Sequence, residues 1–393
     1  MLKIKSDFSW CTVIEVLLVL CIIIGTIIQD NILISTCFAL SFVVLLAYFF
    51  IRIPFTKFNL NTLLIVFSSV ICVLLNLFLS EEALLGFDYF KKMFMFFAFC
   101  LMFLFASEDS VSNKCRLFIS RVTIFSAVIL VISYYLDINP VKPGKSITLG
   151  FTNPNFTGQW LLHFCIYAFL MFIDKKEKII LRLLGAILLP VLVYLITLTK
   201  ARSCLVGIVS FGVFCLLFCL FRSKRIRNAI AICGLSFPLL FSMSYQYLLK
   251  QDWFHELFAF FTFKGKELES RLEVWLPAIN SIKDSFLIGD YSGISEGTGA
   301  SQMHNIHLDV ISSYGIIVGA LFMLLLISKA FQIIKETDSA YQCCAFCGFL
   351  AIIISCTFEA AVVAGSMGMN ILTALMIVMA KRSPTEAQIT ELR

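Results

Sequence analysis

The chain has 393 residues, of which 60% are hydrophobic and only 14% charged, with a mean hydropathy of +0.94 and a net charge of +6. A soluble globular chain carries about 25% charged residues, so this composition excludes a soluble enzyme and predicts an integral membrane protein. The positive charge follows from basic loops and requires no nucleic-acid partner. Fifteen Cys suggest a disulfide framework at first sight. Almost all, such as Cys72, Cys165, Cys215 and Cys347, lie inside apolar runs, where the thiol behaves as a small hydrophobe.

Taken in chain order, the apolar runs predict twelve spans of near the roughly 20 residues that a membrane helix needs. They are Trp10–Ile28, Ile32–Ile51, Leu60–Leu79, Met93–Ala106, Leu117–Leu136, Thr157–Ile173, Ile179–Leu198, Ser203–Phe221, Ala229–Leu249, Ile306–Ser328, Tyr341–Ala361 and Gly365–Ala380. The first reads as a permanent span, because no small-residue cleavage site follows it and the next run begins almost at once. The expected fold is an all-α integral membrane protein, one polytopic domain over residues 1–393. A large external loop, residues 250–305, joins the ninth and tenth spans. With the N-terminus inside, the inner segments and adjoining span ends hold 20 of the 31 basic residues, as the positive-inside rule requires. Arg222–Arg227 is the strongest anchor, and both termini are expected to be cytoplasmic.

Three external segments stand out. Asp137–Phe156 contains Gly150-Phe151-Thr152-Asn153-Pro154-Asn155, and Lys200-Ala201-Arg202 forms a tight turn between the seventh and eighth spans. The loop from Lys250 to Asn305 is the longest and contains two expected helices. Asp252–Phe263 is too apolar for a solvated loop and suits the membrane interface. The second starts at Ser270-Arg271-Leu272-Glu273, a capping-box pattern. Leu272, Trp275, Leu276 and Ile279 then fall on one apolar face, with Pro277 expected to kink it or bend its end. Arg271 and Trp275, four apart, share a side.

Each candidate residue has a bland alternative. Arg202 at a span end is an ordinary snorkelling anchor, or else a planar fork of donors matched to phosphate oxygens. Arg271 is a solvated loop charge paired with Glu267 or Glu273, or a cation on the roof of a cavity. His304 is one of four His, and it is either an interfacial residue or a general base near neutrality. His304 and His307, three apart, lack further ligands nearby, so a metal site is not expected. Glu15, Asp309 and Glu359 are carboxylates placed inside spans, where ionisable groups mark function by default. Asp309, one turn below Asn305, is placed to orient a site, whereas Glu15 and Glu359 satisfy packing partners or a proton path.

Met303-His304-Asn305-Ile306-His307-Leu308, followed by Tyr314-Gly315-Ile316-Ile317-Val318-Gly319, resembles a signature of the O-antigen ligase/polymerase superfamily, which includes the Wzy-type polysaccharide polymerases. Thr199-Lys200-Ala201-Arg202-Ser203 is similar to that family's Ser-Arg turn, with Ala201 where the turn usually has Ser. Arg271 and Trp275 are similar to its Arg-x-x-x-Trp element, and Gly150–Asn155 to its Gly…Asn segment. Ser312-Ser313 replaces an acidic residue often found before Gly315. By motif the resemblance covers about Gly150 to Gly319.

The resemblance implies a GT-C-like glycosyltransferase in the inner membrane of a bacterium, with its site on the periplasmic face. Such an enzyme moves a glycan from an undecaprenyl-pyrophosphate carrier to an acceptor hydroxyl, without metal or other cofactor. On that reading Arg202 and Arg271 clamp the pyrophosphate and His304 serves the acceptor, while Asn305, Asn155, Lys200 and Trp275 contact substrate. The expected function is polymerisation of lipid-linked repeat units into O-antigen or capsule. The alternative is ligation of finished glycan onto lipid A-core or another surface acceptor, and a transporter or flippase comes third. Expected partners are the lipid-linked donor, a glycan or lipid-core acceptor, membrane lipid, a chain-length regulator and a flippase.

Overall fold

A computed structural model describes residues 87–108, 113–138, 146–149, 151, 153–259, 272–287, 289, 303–359 and 367–382, with a few isolated positions before residue 75. The first three expected spans lie outside the described residues. Among the described residues the chain is helical, with no strand. Its helices are α1 (Phe87–Glu108), α2 (Asn113–Tyr135), α3 (Pro154–Ile173), α4 (Ile179–Thr199), α5 (Arg202–Leu220), α6 (Lys224–Leu248), α7 (Asp252–Ala259), α8 (Leu272–Asp284), α9 (Ile306–Glu336), α10 (Ala340–Ser355) and α11 (Met367–Met379). Six of them (α2 to α6 and α9) are long and apolar enough to cross a membrane. Outward apolar side chains such as Ile187, Val209, Leu216 and Leu240 are more than half exposed, as a lipid-facing surface requires. The protein is therefore membrane-embedded.

Local chemistry sets several boundaries. Asn153 caps α3 by accepting from the Asn155 N–H at 2.8 Å, and Pro154 follows at the first helical position, where its missing N–H costs nothing. Lys200 ends α4 in the left-handed region (φ 56°), so α5 can start two residues later at Arg202. Ser339 and Gln342 form a reciprocal capping box on α10. Helix α8 continues through Pro277, so the expected kink or bend there does not end it.

Helix α3 is central, packing against α2, α4, α5, α10 and α11. It is nearly all buried, and Trp160, Phe164 and Tyr167 are 1% exposed or less. Gly158 permits a close approach: a Cβ there would lie 2.6 Å from Ala201 Cβ and 2.8 Å from Cys204 Sγ. That contact ties the start of α3 to the α4–α5 turn.

The helix ends sort into two levels. One end gathers Arg116, Arg121, Lys176, Arg227, Lys329 and Lys381, and is stitched by ion pairs. Arg116 meets Asp174 at 3.0 Å, and Arg121 bonds Glu177 through two nitrogens at 2.9 and 2.7 Å. Lys329 meets Glu108, and Lys381 meets Glu336 at 3.2 Å. The other end gathers the starts of α3, α5 and α9 with the ends of α4, α6 and α10. The charge asymmetry expected from the sequence is thus a property of the fold.

Three elements differ from expectation. Helix α1 starts at Phe87, so Lys92 lies inside a helix, where it pairs with buried Asp309 at 2.8 Å. Helix α9 is broken at Gly315 (φ 83°, ψ 170°). The Ile316 N–H bonds outward to the Phe286 carbonyl at 3.0 Å, and Gly289 sits so close that a Cβ would be 2.6 Å from the Gly315 nitrogen. Helix α10 ends at Ser355, short of the expected Ala361, because a turn at Cys356–Phe358 delivers Glu359 to the His304 end.

Candidate functional site

His304 and Glu359 form the centre of this end. His304 Nδ1 lies 3.2 Å from Glu359 Oε1, with side-chain exposures of 28% and 4%. Glu359 Oε2 accepts from Asn155 Nδ2 at 2.9 Å. An ionised carboxylate only accepts hydrogen bonds, so it places the proton on Nδ1 and leaves Nε2 with its lone pair. This is the arrangement in which a carboxylate orients a general base. His304 has φ 55°, a conformation that costs a non-glycine residue roughly 1–3 kcal/mol and persists only where its surroundings fix it.

Those surroundings are visible on both sides. The Met303 N–H donates to Asp309 Oδ1 at 2.9 Å, and Trp275 Nε1 donates to the Met303 carbonyl at 2.8 Å. Asn305 follows as the cap of α9. Its Oδ1 accepts from the N–H groups of His307 (3.0 Å) and Leu308 (3.1 Å). Its Nδ2 donates to the carbonyls of Pro238 (2.8 Å) and Thr357 (3.2 Å). A carboxamide makes four such bonds at most. Asn305 is also fully buried, so the expected substrate contact is corrected: Asn305 fastens α9 to α6 and α10. The Ile306 N–H, donating to the Cys356 carbonyl at 3.0 Å, reinforces the same seam.

Trp275 needs the same correction. It is 0% exposed and stands in an aromatic cluster with Tyr245 (ring centroids 5.0 Å), Phe358 (6.1 Å) and Phe241 (6.3 Å). Phe254 of α7 joins through Tyr245 at 5.9 Å. Such pairs add roughly 0.5–1.5 kcal/mol each beyond burial. The cluster links the site's parts: Phe358 precedes Glu359, Trp275 holds the residue before His304, and Tyr245 lies within electrostatic reach of Arg202. Trp275 is a positioning residue. The apolar face of α8 is Trp275 and Ala278, with Val274, Ile279 and Ile282 packed around them.

Arg202 opens α5 at this same end and is half-buried. Two residues on, Cys204 lies within electrostatic reach of Glu359. Lys200 is partly exposed at the turn before it. Arg271, and the Ser270 expected to cap α8, lie outside the described residues. His307 turns away from His304, its Nε2 lying 2.7 Å from the Leu235 carbonyl, so the two do not converge. No group of three or more His, Cys, Asp or Glu suited to a metal is found among the described residues. Asp309 accepts from the Met303 N–H at 2.9 Å and pairs with Lys92 at 2.8 Å.

Arg202, Lys200, Asn155 and His304 thus share one end of the bundle. Sequence reasoning underrated Glu359, read as a packing or proton-path residue, and missed Tyr245. The available signal for Glu359 was a lone carboxylate in an apolar run. Tyr245 gave none. Scans against family models, curated proteins and solved structures find no match to this chain.

Proposed function

We propose that the protein is a membrane glycosyltransferase that uses a polyprenyl-pyrophosphate-linked oligosaccharide as donor and polymerises such repeat units into surface polysaccharide. The single observation that carries this reading is the His304–Glu359 pair on the end of the bundle that also bears Arg202. His304 Nε2 takes the proton of the acceptor hydroxyl, whose oxygen attacks the anomeric carbon. The bond from that carbon to pyrophosphate breaks, and the charge left on the phosphate is met by Arg202 and by Arg271, which directly precedes α8. Preorganised donors of this kind commonly contribute about 10²–10³ in rate. Glu359, held by Asn155, keeps the imidazole in the basic tautomer.

The reading places the site on the outer face of a bacterial cytoplasmic membrane, since the opposite end bears the cationic loops. The GT-C-like architecture with twelve spans belongs to the same proposal. Deletion of the gene followed by gel analysis of cell-surface glycan tests it. Single repeat units on the acceptor support a polymerase. Full-length polymer stranded on the carrier supports the ligase reading, and an unchanged glycan profile rejects both.

A further inference from the structure

The chain is pinned on either side of His304, and one pin leads to a buried ion pair that the proposed reaction does not use. On the C-terminal side, Asn305 spends its whole carboxamide on α6, α10 and the start of α9. On the N-terminal side, Met303 is held by both main-chain groups. Trp275 Nε1 donates to its carbonyl at 2.8 Å, and its N–H donates to Asp309 Oδ1 at 2.9 Å. His304 stands between them at φ 55°, a backbone conformation that an L side chain keeps only where its neighbours enforce it.

The Asp309 side chain is 1% exposed and that of Lys92 is 8% exposed, and Lys92 Nζ lies 2.8 Å from the same Oδ1. Lys92 belongs to α1. One turn further along α1, Phe96 meets the Tyr314 ring with centroids 5.3 Å apart, so this face of α1 packs on α9. Asp309 Oδ2 is buried and takes no hydrogen bond, so a single oxygen serves both the ammonium and the Met303 N–H. A buried carboxylate is costly without a cation, and a buried N–H is costly without an acceptor. Lys92 meets the first requirement and Asp309 the second.

We propose that Asp309 and Lys92 are positioning residues for His304. Asp309 Oδ1 fixes Met303, and through it the left-handed backbone that sets the imidazole against Glu359, while Lys92 compensates the burial of the carboxylate. The inference rests on the His304 site of the proposed function. The plain alternative is an ion pair that only joins α1 to α9.

Two double variants of the full-length protein separate these readings. Lys92→Met/Asp309→Asn and Lys92→Met/Asp309→Leu both remove the ion pair and match in side-chain shape. Only the first keeps an oxygen that accepts from the Met303 N–H. Oxidation by hydrogen peroxide, followed peptide by peptide by mass spectrometry, reads the Met303 thioether against that of Met171 in α3, both residues being 1% exposed. Relative to Met171, Met303 is expected to oxidise several-fold faster in the Leu variant and at the unaltered rate in the Asn variant. Equal rates in the two variants overturn the proposal. If the Leu variant does not fold, shown by rapid oxidation of Met171 as well, the Asn variant decides: an unaltered rate at Met303 supports the proposal and a faster one overturns it. In cells, polymer is expected from the Asn variant and not from the Leu variant. Normal polymer in the Leu variant, where His304→Ala abolishes it, overturns the positioning role, whereas normal polymer in both rejects the proposed function instead.

Discussion

The two ends of the helical bundle spend their carboxylates differently. At the basic end, Asp174, Glu177, Glu108 and Glu336 are matched with Arg116, Arg121, Lys329 and Lys381. At the opposite end, Glu359 is matched with a histidine and an asparagine, and Asp309 with Lys92 and a backbone N–H. A carboxylate on arginine fastens a loop. A carboxylate on the Nδ1 of a partly exposed histidine prepares the other ring nitrogen for a proton. One end is scaffold, and the other holds the proposed site.

The contrast breaks most sharply through the site itself. Ala in place of His304, Arg202 or Arg271 is expected to abolish long-chain polysaccharide in cells, each losing about 10²–10³ or more in transfer rate, while the protein remains in the membrane. Normal polymer in all three variants, read on glycan gels beside an immunoblot, would sink the mechanism. Glu359→Gln keeps the shape of the side chain and an acceptor for Nδ1 but removes the carboxylate charge beside the ring. Its loss should be smaller than that of His304→Ala, within the about 10²–10⁴ that general acid–base catalysis contributes.

At the basic end the signature is reversed. Arg116→Ala strands the buried Asp174 carboxylate, and removing one partner of a buried pair costs about 3–5 kcal/mol. A lowered unfolding midpoint is expected, with the per-molecule activity of the folded fraction intact. The smallest effect concerns pH. Burial opposes ionisation of Glu177, but the Arg121 guanidinium and the Lys178 N–H outweigh it and hold the carboxyl below its ordinary value. A depressed carboxyl stabilises the fold above its unfolded pKa of about 4.3 and loses that contribution as pH falls through the folded value. Acid titration of unfolding should therefore show a loss of stability below about pH 4.3 that is reduced in Glu177→Gln. An identical acid limb in the two proteins would show that this pair contributes nothing.

Much of the scaffold was legible in the sequence. Helices α3, α4 and α5 begin and end within three residues of the expected spans, because long apolar runs bounded by Pro154, Lys178, Lys200 and Phe221 leave few alternatives in lipid. The loops that border the described spans fall at two ends because successive spans alternate in direction. The broken helix at Gly315 was not legible. Its cause is the close approach of Gly289, some 26 residues earlier, and hydropathy along one segment carries no trace of another backbone seated against it.

The site shows the same division. Composition and periodicity by themselves determined a membrane-embedded helical chain, and placed Arg202, His304 and Asn155 at one end of it, because transfer free energy is a local property of each run. Only the tertiary structure decided what each side chain does there. Asn305 and Trp275 matched a functional pattern yet are consumed by bonds within the protein, while Glu359, inside an apolar run, emerges because α10 stops at Ser355. Hydrogen-bond partners are set by distance in space, and a distance of 3.2 Å between residues 304 and 359 exists only once the helices between them have packed.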